Sequence, residues 1–212
     1  MADSIDAEGM KRGRRFLLRK DPELGVWMKK IGPLDAPPRK PTQFVSLSRT
    51  LISQQISNRA AQTIIARSFA LCEKTGHPRP KDWLSLSDAK LSSAGLSVQK
   101  ISYLRALSEA FSSGALAKKR LSALPQEKLE GLLTEVRGIG LWTAQMFAIF
   151  DLRRPDVFSS GDLALRNGMA RVRGLEKLTP RECDAWAERW SPWRSVASLY
   201  LWRIAHYREQ QT

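Results

Sequence analysis

Residues 133–147 read Leu133-Thr134-Glu135-Val136-Arg137-Gly138-Ile139-Gly140-Leu141-Trp142-Thr143-Ala144-Gln145-Met146-Phe147, and Asp162 follows 22 positions after Gly140. The glycine pair encloses one apolar residue, Ile139, between two stretches of helical character. Glycine permits a tight turn and a close backbone approach to a ligand. A helix starting near Leu141 presents unpaired N–H groups and the positive end of its dipole, and both favour a phosphate. Ala144, Val136, Ile139 and Phe147 are small or apolar and suit two closely packed helices. Taken alone, Gly-Ile-Gly fits equally an ordinary helix-turn-helix corner.

The pattern around this stretch is helical throughout. Phe44, Leu47, Leu51 and Ile52 share a face, and Ala60, Ala61, Ile64, Ile65 and Phe69 repeat the period. Ser97 is placed to cap a helix bearing Ile101, Leu104, Leu107 and Phe111; Leu124-Pro125 opens another that runs to about Val136. Leu141 to Phe150 follows the hairpin. Thr179-Pro180-Arg181-Glu182 reads as a capping box with proline at the first helical position. Its helix is expected to end near Ser191-Pro192, where a last helix starts and runs to about Arg208. The reading is an all-α protein of about nine or ten helices, without repeats. Gly32 to Pro41, with Pro37-Pro38, reads as a linker or domain crossing.

The chain has 212 residues, 42% of them hydrophobic, enough for one or two compact domains. Its formal net charge is +14, and a polyanionic partner is the usual reason for such an excess. The charge is uneven: net +4 over residues 1–40, +8 over 41–155 and +2 over 156–212. The segment holding the hairpin is thus the most basic. The run Lys11-Arg12-Gly13-Arg14-Arg15 reads as a cationic arm, either disordered or turned to a nucleic acid. No stretch approaches the roughly 18–20 apolar residues of a membrane span, and no apolar signal core follows the N-terminus. Cys72 and Cys183 are the only cysteines, too few for a four-cysteine zinc or iron–sulfur site, and read as free buried thiols.

Four motifs in order resemble the helix-hairpin-helix superfamily of DNA base-excision glycosylases. The hairpin is followed by Asp156-Val157-Phe158 and Gly161-Asp162. Leu51-Ile52-Ser53-Gln54-Gln55-Ile56-Ser57 with Ala60-Ala61 resembles the DNA-wedge segment of the 3-methyladenine DNA glycosylase II branch. Trp190-Ser191-Pro192-Trp193-Arg194-Ser195, with Ala197 and Leu201-Trp202, resembles that branch's C-terminal helix. The resemblance runs from about residue 40 to the end.

It implies two helical subdomains with a DNA-binding cleft between them: residues 42–155 form the central one, and 1–41 pair with 156–212 to form the other. Asp162 would stand on one wall of the cleft and the hairpin on the other. The implied activity is a monofunctional hydrolysis of the N-glycosidic bond of alkylated purines, of the 3-methyladenine and 7-methylguanine type, leaving an abasic site in base excision repair. The alternative is a damage-binding protein of the same fold without chemistry. The implied partner is double-stranded DNA containing alkylated bases, bound by a monomer, with no membrane association. The protein would act in the nucleoid-bearing cytoplasm of a bacterium or in a eukaryotic nucleus.

The resemblance assigns roles to residues. Asp162 matches the catalytic aspartate; a fixed carboxylate stabilises the positive charge that builds on the sugar and can orient or deprotonate water. Read locally, without the resemblance, it is instead an N-cap for a helix from Leu163 to Met169. Trp142 stands where strand-cleaving members carry a Schiff-base lysine, and tryptophan cannot form an imine. Trp142, Met146 and Trp202 match the flipped-base pocket. An aromatic face attracts a cationic alkylpurine by roughly 0.5–2 kcal/mol, although Met146 replaces a residue that is tyrosine in some members. Gln55, beside Gln54, matches the wedge that fills the gap left by the flipped nucleotide; either glutamine alternatively serves its own turn. Gly138, Gly140 and Thr143 match the phosphate grip. Family hairpins also hold a monovalent cation on backbone carbonyls, here near Thr134, Val136 and Ile139, so a structural Na+ or K+ is implied. No cofactor is required and no iron–sulfur cluster is implied. Arg194 is left between holding a phosphate and bracing Asp162. Trp83, Trp186 and Trp190 read as core.

Overall fold

The structure, a computed structural model, describes residues 4–38, 42–72, 77–116 and 118–207, with the backbone alone at 58 and 118–120. These residues form thirteen α-helices, one 3-10 turn and no strand. The helices are α1 (Ala7–Lys20), α2 (Pro22–Ile31), α3 (Gln43–Ser53), α4 (Asn58–Ala70), α5 (Pro80–Ser85), α6 (Asp88–Ser93) and α7 (Val98–Ser112). They continue with α8 (Lys118–Ala123), α9 (Gln126–Thr134), α10 (Leu141–Phe150), α11 (Leu163–Arg173), α12 (Pro180–Ala187) and α13 (Arg194–Ala205). The all-α class agrees with the sequence reading, but the helix count is higher. Three of the added helices, α5, α6 and α8, have six residues each, too short for an apolar period to show. The Gly32–Pro41 linker is described as far as Pro38, and the last helix ends at Ala205, short of the expected end near Arg208.

The other added helices are N-terminal. The basic run at residues 11–15 lies inside α1 rather than in an arm. Buried Met10, Gly13 and Leu17 recur on one face of that helix, and the Arg12 guanidinium lies 5.7 Å from the Trp193 ring centroid. Asp6 caps α1, its carboxylate accepting from the Gly9 N–H at 2.9 Å.

The chain divides into two compact units. Unit 1 comprises Met1–Pro38 and Ala148–Thr212. Its helices α11 and α13 pack together, with α1 and α2 against α13. Gly168 permits the first contact: a Cβ there would stand 2.2 Å from the Leu201 carbonyl oxygen. Leu165, Met169, Val196, Tyr200 and Leu201 are fully buried around this crossing. Asp21, also buried, caps α2 by accepting from the Leu24 N–H at 3.0 Å. Its other oxygen accepts from the indole N–H groups of Trp190 at 2.8 Å and Trp186 at 3.2 Å. A buried carboxylate is tolerated when its lone pairs meet donors in this way. Trp190 is core here and Trp83 is core in unit 2, as read from the sequence. Trp186 is half-buried between the guanidinium groups of Arg173 and Arg189.

Unit 2, Arg39–Phe147, gathers α3, α5 and α6 around α7, with α4 packed against α3. Phe44, Leu47, Leu51 and Ile52 are buried, as are Ile101, Leu104 and Leu107 on the facing helix. Phe44 meets Phe111 edge-on at 5.2 Å. Ser97 accepts from the Lys100 N–H at 3.3 Å and starts α7 where the sequence placed it. Cys72 and Cys183 are buried free thiols, and burial pushes both up to about 11.

Candidate DNA-repair site

The hairpin forms within unit 2. Helix α9 ends at Thr134, and residues 135–140 turn the chain into α10. The turn closes through the Ile139 N–H donating to the Val136 carbonyl at 3.0 Å. Gly138 has φ 96°, in the left-handed region where a side chain is disfavoured, and a Cβ there would lie 2.4 Å from Cγ of Tyr103. Gly140 is different: a Cβ would meet nothing within 4 Å. Its Cα face is open, and it lines a cavity of about 800 Å³ with Trp142, Gln54, Gln55 and Arg49.

Trp142 is 46% exposed, so it belongs to the surface rather than the core. Thr143 also borders the cavity but is 3% exposed, which leaves little of its side chain accessible. Met146, one helical turn beyond Trp142, is 9% exposed and does not border this cavity. The structure therefore brings Gln54, Gln55, Gly140, Trp142 and Thr143 to one concavity and sets Met146 apart from it.

Gln54 and Gln55 occupy the turn between α3 and α4, as the sequence placed them. Gln54 donates from Nε2 to the Gly138 carbonyl at 3.0 Å, tying this turn to the hairpin 84 residues away. Gln55 is exposed, and its φ of 57° is unusual for a residue with a side chain. Lys100, on α7, donates to the Ile52 and Gln54 carbonyls. Burial lowers its pKa below the usual lysine value of 10.5.

Asp162 and Trp202 form a second group, in unit 1. Asp162 is half-buried and caps α11: its Oδ1 accepts from the Leu165 N–H at 2.9 Å. The same oxygen accepts from the Trp202 indole N–H at 3.3 Å. The Trp202 ring stacks on Phe150 with centroids 5.5 Å apart and planes 28° apart. The helix cap read locally for Asp162 and an oriented carboxylate are thus compatible. Helix α11 approaches α13 closely at Gly168, and this crossing sets Trp202 beside the cap.

Arg194 does not brace Asp162 directly. Its Nε and Nη2 donate to Asp156 Oδ1 and Oδ2 at 2.8 and 3.0 Å. Burial pushes the Asp156 carboxyl up, but Arg194 and the Ser191 hydroxyl outweigh it and hold the pKa below 3.8. The Asp156–Arg194 pair joins the start of α13 to the segment leading to Asp162, where the Val157 N–H also donates to Ser195 Oγ at 2.9 Å. Phe150, Lys100, Tyr103 and Gly168 were not singled out from sequence. Each works through a partner far away in the chain, and only the Lys100–Tyr103 spacing on one helix is a local sign. Among the described residues, no three His, Cys, Asp or Glu side chains group as metal ligands, and no helix is long and apolar enough to cross a membrane.

Residues 48–193 match the HhH-GPD superfamily of base excision DNA repair proteins, and the chain belongs to that superfamily. It is 32% identical over 168 residues to DNA-3-methyladenine glycosylase 1 of Schizosaccharomyces pombe, covering 78% of this chain and 74% of that one. Its fold is similar to the crystal structure of a DNA-3-methyladenine glycosidase from Bacillus halodurans, with a TM-score of 0.84 and 32% identity across 92% of this chain and 89% of that one. It is also similar to the 3-methyladenine DNA glycosylase of Schizosaccharomyces pombe in complex with abasic DNA, with a TM-score of 0.83 and 28% identity across 95% of this chain and all of that one.

Proposed function

We propose that this chain is a monofunctional DNA glycosylase that removes alkylated purines from double-stranded DNA in base excision repair. The observation that carries the reading is the Asp162 carboxylate, oriented by the Leu165 N–H and the Trp202 indole, in a chain of this superfamily. The relatives named as 3-methyladenine glycosylases support the same substrate class.

Alkylation at a ring nitrogen makes the purine cationic and the base a good leaving group. The C1′–N bond breaks, its electron pair leaves with the base, and positive charge builds on the sugar. Asp162, already oriented by the Leu165 N–H and the Trp202 indole, stabilises that charge without reorganising at the moment of reaction. Water then adds at C1′ and its proton passes to the carboxylate or to solvent. The products are the free base and an abasic deoxyribose. Trp142 has no amine, so no imine forms at its position and the strand stays intact. Its exposed ring offers an aromatic face to a cationic base.

The open Cα face of Gly140 and the first turn of α10 suit a DNA phosphate, with Gln55 as the wedge. The carbonyls of Thr134, Val136 and Ile139, at the end of α9 and in its turn, are hard oxygen donors at the negative end of a helix dipole and suit Na+ or K+. Val136 O already accepts from Ile139, and a carbonyl has a second lone pair for the ion. A bound ion would add positive charge beside the phosphate grip. The protein would act as a monomer.

The test is base release. The purified protein is mixed with methylated duplex DNA, and free bases and abasic sites are counted. Release of 3-methyladenine or 7-methylguanine with unbroken strands is expected. Binding without release would identify a damage sensor instead. DNA affinity should also fall steeply between about 50 and 200 mM salt.

A further inference from the structure

Gln55 holds φ at 57° although it carries a side chain. That conformation is unfavourable for any residue with a Cβ and persists only when its surroundings impose it. φ is measured against the plane of the peptide that joins Gln54 to Gln55, so whatever fixes the Gln54 carbonyl fixes the frame in which Gln55 projects.

Two groups from elsewhere in unit 2 hold that frame. The Lys100 ammonium donates to the Gln54 carbonyl at 2.9 Å and also to the Ile52 carbonyl. These carbonyls end α3, where a cation complements the helix dipole. The Gln54 side chain donates to the Gly138 carbonyl. One turn beyond Lys100 on α7, the Tyr103 ring fills the space beside Gly138, and its hydroxyl accepts from Gln99 at 2.6 Å. One face of α7 therefore supports both the wedge turn and the hairpin turn.

We infer that Lys100 is a positioning residue that fixes the Gln54–Gln55 peptide and so presents Gln55 to the duplex. This rests on the glycosylase reading. Lys100 touches neither the sugar nor the base in this assignment; it acts through the backbone of the turn.

The test uses the full chain and one alkylated purine placed either in a duplex or in a single strand. A single strand has no pairing partner to separate and no gap for a wedge to fill. Lys100→Met is expected to lose about tenfold or more in kcat/KM on the duplex, the effect of removing a charged hydrogen-bond donor. Its single-strand rate should stay within about twofold of wild type, and Lys100→Arg should restore most of the duplex rate. Gln55→Ala should show the same duplex-selective loss, and the double variant should be no worse than Gln55→Ala alone. Equal loss on both substrates, or full duplex activity in Lys100→Met, overturns the inference. If Lys100→Met does not fold, Lys100→Gln, which retains a donor, is put through the same comparison. If wild type releases no base from either substrate, the glycosylase reading fails. The inference is then decided by 2-aminopurine placed opposite an abasic site. Its fluorescence should change on binding wild type and change less with Lys100→Gln; equal changes overturn the assignment.

Discussion

The indole N–H of Trp202 and the backbone N–H of Leu165 converge on one oxygen of Asp162, at 3.3 and 2.9 Å. The tryptophan comes from α13 and the amide from the first turn of α11. The carboxylate is therefore oriented by two helices of unit 1, and the crossing of those helices sets its direction.

Trp202→Phe should keep an aromatic ring beside Phe150 while deleting the donor to Asp162. A hydrogen bond to a charged group is worth about 1.5–3 kcal/mol. A loss of about tenfold in kcat is expected, with DNA affinity nearly unchanged. Single-turnover excision and equilibrium DNA binding measure the two separately, and a loss confined to binding would count against the orienting role.

Gly168→Val should force α11 away from α13, because the Leu201 carbonyl occupies the place of the new Cβ. Overpacking costs about 1–3 kcal/mol, and here backbone must move. Thermal unfolding should shift down, and the excision rate of the remaining folded protein should fall as Trp202 leaves the cap. An unchanged melting temperature would mean that the two helices are not held at this crossing.

Asp156 makes stability depend on acid. Its folded pKa lies below 3.8, its ordinary value. The stability from its pairing with Arg194 is therefore present above 3.8 and lost as pH falls through the lower folded value. Asp156→Asn should flatten this acid limb and cost on the order of 1 kcal/mol at neutral pH, since both side chains are partly solvated. Urea unfolding between about pH 2 and 7 checks the sign. A variant with the same acid dependence as wild type would refute the assignment.

What sequence made legible was local. The glycine turn, the Ser97 and Thr179 caps and the Asp162 cap each depend on residues within a few positions of one another. Helix α1 was missed because charges at 11, 12, 14 and 15 hide the buried face at Met10, Gly13 and Leu17. Asp21 with Trp190, Arg194 with Asp156, and Lys100 with Gln54 escaped for a different reason. They join positions 169, 38 and 46 residues apart, and no period or motif marks such pairs. Neither role read for Arg194 from sequence includes Asp156, which holds its guanidinium.

The most direct measurement is base release from an alkylated duplex by Asp162→Asn. Asparagine keeps an oxygen to accept from the Leu165 N–H, so the helix cap and the fold should persist. It lacks the negative charge that stabilises the sugar cation. Excision should be abolished while DNA binding stays at the wild-type level. Full excision by Asp162→Asn would contradict the account.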